Sequence, residues 1–217
     1  MLSLLEDPTA LPKAYRMRLQ GIPNTYSAFL LYLKLKPNRF HYLDYTGYYV
    51  PNYNSVWNTD GSAFLYMTPP ELEQGEFSRK MIIAAPMKWQ EVERWADTNL
   101  GHRSEDYKTW KAAKAEVLLA RMEEMFPYFK DCVENVNTAS PLTIRDYYGV
   151  KEGAMFGYAK DHKNMALSQV PVVTKITNLL LTGQCVNLHG FCGVPLTAIN
   201  TCEAILGQNA VIAKIQN

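Results

Sequence analysis

Alternation of apolar and polar positions is the clearest signal in the first half of the chain. In residues 23–36, Phe29, Leu31, Leu33 and Leu35 fall on one side and Leu30, Tyr32, Lys34 and Lys36 on the other. That pattern predicts a strand with one face turning toward water at its end. Residues 63–67 and 80–85 read as two further strands separated by the break Thr68-Pro69-Pro70, and the order strand, loop, strand predicts an antiparallel sheet. Residues 37–61, rich in Asn, Tyr, Gly and Pro, read as a loop or short strands with turns at Thr46-Gly47 and Asp60-Gly61. Helical spacing follows at 87–98, where Trp89, Val92 and Trp95 share a face. A second helix is predicted after Ser104, a candidate N-cap with Glu105 and Asp106 in the first turn. Its stripe is Tyr107, Trp110, Val117, Leu118, Arg121, Met122 and Met125, and Pro127 ends it. Amphipathic helices normally bury such a stripe, so it reads as core rather than as a cofactor surface.

Beyond Phe129 the pattern predicts strand and loop, with a strand at 132–137 and irregular chain over 140–149. Residues 178–182 are a short continuous apolar run ending at Gly183, the pattern of a buried parallel strand. A glycine-containing loop then leads to Gly193, and a helix runs to about Leu206, with Pro195 in its first turn and Gly207 as its stop. A strand, glycine turn and helix start can hold an anionic or electron-rich group, because the first N–H groups are unpaired and the helix dipole adds positive charge. Gly190 and Gly193 would let a flat ligand approach the backbone. The same pattern serves equally as a plain strand-to-helix turn in any α/β protein.

Composition narrows the classes. The 217 residues suit one domain or two small ones, and 22 basic against 21 acidic residues leave a net charge of +1. No basic cluster is present, which argues against nucleic acid as a partner. No apolar run is long enough to span a bilayer, and residues 1–7 carry acidic groups where a signal peptide carries basic ones, so a cytoplasmic protein is expected. The 14 Tyr, 8 Phe and 4 Trp suit either a pocket for an extended apolar ligand or an ordinary core with a Tyr-rich surface loop. Cys132, Cys185, Cys192 and Cys202 lack C-x-x-C spacing, and Cys185, His189 and Cys192 lack the second close pair of a zinc site. Reduced thiols and no metal are expected.

The run from Thr182 through Gly183, Gln184, Gly190 and Gly193 to Leu196 resembles the C-terminal flavin motif of the phytoene desaturase, carotenoid isomerase and retinol saturase family of FAD-dependent oxidoreductases. Four other stretches resemble that family: the Asn178-Leu179-Leu180-Leu181 strand, the Ser140-Pro141-Leu142-Thr143 segment through Tyr147, the Glu152 to Tyr158 segment, and the strand of 23–36. The resemblance implies an α/β fold with α+β character. A substrate-binding lobe of mixed sheet and helices would span 1–137, and the last strand-turn-helix of a Rossmann-like FAD domain would lie in 138–217. It implies that Gly183, Gln184, Gly190, Gly193, Val194 and Pro195 line the flavin, that Phe156, Gly157 and Tyr158 line the substrate, and that the substrate is a polyene or other apolar molecule. Tyr158 and His189 are candidates for a catalytic acid or base, with a packed Tyr and a loop His as the plainer readings, and no catalytic residue is assigned. The family's G-x-G-x-x-G fingerprint, which binds the FAD pyrophosphate, does not occur in this sequence. Weak or absent FAD retention is therefore expected, and the 178–182 edge is expected either to self-associate, to bind a separate N-terminal FAD-binding segment or chain, or to leave residues 178–217 locally labile. The competing reading is a non-catalytic binding or partner module.

Overall fold

The computed structural model describes residues 5–72 and 75–215. In chain order its elements are α1 (Lys13–Gly21), β1 (Ser27–Leu35), β2 (Gly47–Tyr49), β3 (Phe64–Met67), β4 (Lys80–Met87), α2 (Glu105–Met125), α3 (Phe129–Cys132), β5 (Val133–Ala139), α4 (Pro141–Tyr148), α5 (Met165–Ser168), α6 (Gly190–Leu206) and α7 (Ile212–Ile215). They form two compact units, one of Tyr26–Met155 and one of Met1–Thr25 with Phe156–Asn217.

The unit of Tyr26–Met155 is an α+β lobe around a five-stranded sheet of order β2-β3-β4-β1-β5. Every pairing is antiparallel, as the order strand, loop, strand predicts, and the sheet is not the mixed one that the resemblance implies. Central β1 follows the period-two pattern: Phe29, Leu31, Leu33 and Leu35 are buried, while Tyr32 and Lys34 are exposed. Met81, Ile83, Ala85 and Met87 of β4 continue the buried face, and α2 covers it with Leu118, Leu119 and Met122. The predicted 87–98 helix is instead two separate 3-10 turns, Trp89–Glu91 and Glu93–Trp95. Val92 between them has φ −119° and ψ −1°, which breaks the ladder. Tertiary ties hold this shape: Trp95 Nε1 donates to Asp106 Oδ2 at 2.8 Å, and Arg145 Nη1 donates to the Ala96 carbonyl at 2.7 Å.

The stretch 140–149, expected as irregular, contains α4. Its start is a capping box: Ser140 N donates to Thr143 Oγ1 at 3.2 Å, Leu142 N donates to Ser140 Oγ at 3.2 Å, and Pro141 occupies the first turn. Gly149 at φ 65° ends it in the left-handed conformation. The expected boundary at 137/138 falls inside β5, and residues as far as Gly153 are tied to the sheet. Ser27 Oγ donates to the Gly153 carbonyl at 2.7 Å, and a Cβ on Gly153, whose φ is 62°, would lie 2.3 Å from the Pro141 carbonyl oxygen.

In the other unit, Leu19 and Ile22 of the α1 region bury with Val170, flanked by Tyr15, Tyr158 and Leu181. Arg18 Nη2 donates to the Ala166 and Gln169 carbonyls at 2.7 and 2.6 Å, fixing α1 to the α5 segment. Residues 178–182 do not form the expected parallel strand. Asn178 has φ 64°, and among the described residues the segment's only ladder contact is an antiparallel bridge between Val173 and Leu180. A strand needs neighbours along its length, and here a single short stretch of chain supplies them.

Candidate functional site

The unit of Met1–Thr25 and Phe156–Asn217 brings the two sequence-predicted groups of residues together. Phe156 lies against His189, with ring centroids 4.7 Å apart. Gly157, at φ 70°, accepts from Thr25 N at 2.9 Å through its carbonyl and abuts Cys185: a Cβ there would sit 2.6 Å from Cys185 Sγ. Tyr158 bridges Asn24 and lines a pocket of about 250 Å³ with Leu19, Val170, Leu181 and Cys185. Burial raises its phenol pKa above the ordinary value, with Cys185 and Tyr15 adding to the effect. Lys160, which sequence reasoning passed over, donates to the Ser168 and Cys185 carbonyls at 3.0 and 3.3 Å, and burial lowers its pKa.

The glycines of the predicted flavin turn divide into two kinds. Gly183 and Gly190 have positive φ, 93° and 81°, and open space where a Cβ would stand. Gly193 is buried, and a Cβ on it would meet the Leu188 backbone carbon at 2.6 Å. The chain's own turn therefore requires Gly193, whether or not a ligand is near. Gln184 follows Gly183 in the same turn and is half-buried. The helix begins at Gly190 with His189 as N-cap, earlier than predicted, so Pro195 lies past the first turn rather than within it. Val194 and Pro195 are exposed, and Phe191 is 96% exposed. No cluster of His, Cys, Asp or Glu able to hold a metal occurs among the described residues.

A second candidate lies within the sheet lobe. A cavity of about 510 Å³ opens between the buried sheet face and α2, a size typical of small-molecule sites. Phe29 and Trp110 meet edge to face at 5.9 Å and Tyr49 stacks on Phe64 at 5.0 Å, giving aromatic walls. Val117 and Arg121, expected inside the helix's buried stripe, instead face this opening, and Val117 is 57% exposed. Polar groups gather at the rim. Asp60 accepts from Ser62 N at 2.9 Å, and hydrogen bonds from Ser62 hold its carboxyl below the ordinary range. Lys114 pairs with Glu91 at 2.6 Å and Arg121 with Glu124 at 2.8 Å. The cavity can take a slender apolar molecule with a polar end.

Comparison with known proteins finds similar sequences. The chain is 32% identical over 144 residues to the all-trans-retinol 13,14-reductase of Danio rerio, covering 64% of this chain and 23% of that protein. It is 31% identical over 132 residues to the protein of that name from Rattus norvegicus, and 30% identical over 132 residues to the one from Homo sapiens, each covering 59% of this chain and 22% of that protein. The chain is similar to all-trans-retinol 13,14-reductases. It spans less than a quarter of the length of these curated relatives. No family model matches it.

The likeness to retinol reductases supports the retinol saturase side of the resemblance read from the sequence. Aromatic counts hinted at an apolar pocket but could not place it, because α2 carries one continuous stripe for both core and cavity wall. The cavity was legible only in the mixed character of that stripe, with Arg121 among apolar neighbours.

Proposed function

We propose that this chain is the substrate-side portion of a flavin-dependent oxidoreductase acting on a retinoid. The observation that carries this reading is its 30–32% identity to proteins named all-trans-retinol 13,14-reductase. The apolar cavity of about 510 Å³ supports it, since a polyene needs a long water-poor slot and a retinol hydroxyl needs a polar end. Phe29, Phe64 and Trp110 would hold the hydrocarbon, and Asp60 with Arg121 would meet the hydroxyl.

The second unit offers a partial fit to a flavin ring. Gly183 and Gly190 leave backbone open to a flat ligand, and the first turn of α6 carries no acidic residue to oppose an anionic ring. Gln184, Val194 and Pro195 lie on the same turn and helix start, whereas Gly193 is committed to Leu188. Bound flavin would supply the hydride or electron transfer. The chain's own residues would position the ring edge and exclude water, and Phe156, Gly157 and Tyr158 would flank the turn. The pyrophosphate site would come from a segment or chain outside these residues, so the chain alone is expected to hold FAD weakly.

Fluorescence tests the retinoid half. All-trans-retinol absorbs where indole emits, so saturable quenching of tryptophan emission is expected, and Ala113→Phe at the cavity mouth should abolish it. No quenching in the wild type, or full quenching in the variant, would refute the assignment. Calorimetric titration with FAD tests the other half: tight stoichiometric retention by the chain alone would contradict the divided flavin site. A partner module without catalysis is the second reading, favoured by the exposure of Phe191, Leu196, Ile205 and Leu206 on α6. Sedimentation showing either a second copy or a flavin-binding chain on this face would distinguish self-association from complementation.

A further inference from the structure

The turn that precedes α6 is tied to three other segments of its own unit. Leu181 N donates to the Val172 carbonyl at 2.8 Å and Val170 N donates to the Val186 carbonyl at 2.9 Å, so both ends of the stretch 181–186 lie on 170–172. Val186 N closes the turn on the Gly183 carbonyl at 3.1 Å, and Thr201 Oγ1 of α6 donates to the Leu181 carbonyl at 3.2 Å. The turn also meets 157–160. A Cβ on Gly157 would lie 3.4 Å from the Cys185 backbone nitrogen, and Lys160 Nζ donates to the Cys185 carbonyl at 3.3 Å. The 157–160 segment is itself fixed on 23–25, through Thr25 N to the Gly157 carbonyl at 2.9 Å and Ala159 N to the Pro23 carbonyl at 2.8 Å.

Lys160 joins the turn to a firm anchor. Its half-buried ammonium donates to two backbone carbonyls, Ser168 at 3.0 Å and Cys185 at 3.3 Å. Ser168 is 4% exposed, and its hydroxyl donates to the Met165 carbonyl at 3.2 Å and accepts from Asp161 N at 3.3 Å. Burial works against the charge on Lys160, and the two carbonyl dipoles offset that cost. A hydrogen bond from an ammonium is roughly twice as strong as a neutral one. The carbonyl it grips belongs to Cys185, next to Gln184 and two residues from Gly183, whose φ of 93° marks the conformationally freest point of the turn. Gripping that carbonyl fixes a peptide plane and limits the swing of Gly183 and Gln184. We propose that Lys160 is the positioning residue of this turn: it holds the Gly183–Gln184 backbone in the shape that receives the flavin ring edge, and acts through that backbone rather than by touching the ring. The inference rests on the flavin reading given above.

The test uses the full chain and riboflavin, which carries the isoalloxazine ring without a pyrophosphate. Riboflavin fluorescence reads binding, and the amide exchange of Val186 reads the turn. Weak but saturable binding is expected of the wild type. Lys160→Met should weaken it by about tenfold and speed exchange at Val186 by a similar factor, the scale of one charge-assisted hydrogen bond, with exchange in the sheet lobe unchanged. Lys160→Gln keeps a donor without the charge; it should lose less, and it gives the same reading if Lys160→Met does not fold. Lys160→Arg keeps the charge and two donors and should recover most of both effects. Lys163→Met, an exposed lysine nearby, should behave as wild type. No riboflavin binding by the wild type would refute the flavin reading and this role with it, while exchange at Val186 would still report the tie. If the wild type binds riboflavin, the flavin reading stands, and the role of Lys160 alone is overturned by unchanged binding or unchanged Val186 exchange in Lys160→Met and Lys160→Gln, or by Lys160→Arg binding no better than they do.

Discussion

The sheet lobe and α6 are both rich in apolar residues, yet they bury them differently. In the lobe, Phe29, Leu31, Ile83, Met87, Met122 and Phe129 are all at most 1% exposed. In α6, among the described residues only Gly193 and Thr197 are buried, and Phe191, Ile205 and Leu206 stand 96%, 68% and 64% exposed. Apolar content alone therefore does not make a core. Burial requires a facing layer, and the lobe's alternating strands and amphipathic α2 provide one to each other. Residues 178–182 show the same lesson in the backbone, where an apolar run meant for a sheet finds a single bridge.

The largest test of this contrast is a pair of truncations. Phe29→Ala removes a ring from the centre of the lobe and should cost about 3–5 kcal/mol in urea unfolding. Phe191→Ala should stay within about 0.5 kcal/mol, as for an exposed position. Comparable losses from both would mean that α6 is covered in solution, by a second copy or a partner chain.

Glycine substitutions sharpen the comparison. Gly153→Ala forces a Cβ against the Pro141 carbonyl at positive φ, and should cost the lobe about 2 kcal/mol or more by thermal unfolding. Gly193→Ala meets the Leu188 backbone and should loosen the start of α6, seen as faster amide exchange there, with the lobe's melting unchanged. A global loss of stability from Gly193→Ala would show that the two units melt as one.

Ser140 gives a smaller effect. It caps α4 and also meets the Tyr107 hydroxyl at 2.7 Å. Ser140→Ala should cost about 1–2 kcal/mol, read as a shifted denaturation midpoint with unchanged slope. A change below the error of that measurement would mean that water replaces both bonds.

The smallest effect is a pH dependence. Lys111 titrates lower in the folded protein than its ordinary 10.5, through burial and then Arg103. The unfolded chain therefore binds more protons on this group over the interval between the two values, and stability rises with pH across it. The penalty is present in full below the folded value and fades as pH climbs toward 10.5. Lys111→Met should remove this rise. An identical alkaline stability profile in wild type and Lys111→Met would contradict the burial of this amine.

The sequence alone determined the elements whose signals are local. Alternation set β1, β3 and β4, and helical spacing set α2. Even α4, first read as irregular chain, was written in Ser140, Pro141 and Gly149, a cap, a first-turn proline and a left-handed stop. The likeness to all-trans-retinol 13,14-reductases was also legible in the sequence. Tertiary structure decided what depends on residues distant in sequence. It converted 87–98 into two 3-10 turns through Asp106 and Arg145, and left 178–182 without a ladder. It divided the stripe of α2 between core and cavity, and paired Arg103 with Asp146. Periodicity records which side of an element is apolar. Whether that side meets a facing layer, a ligand or water depends on packing between segments far apart in the chain, and no local pattern encodes it.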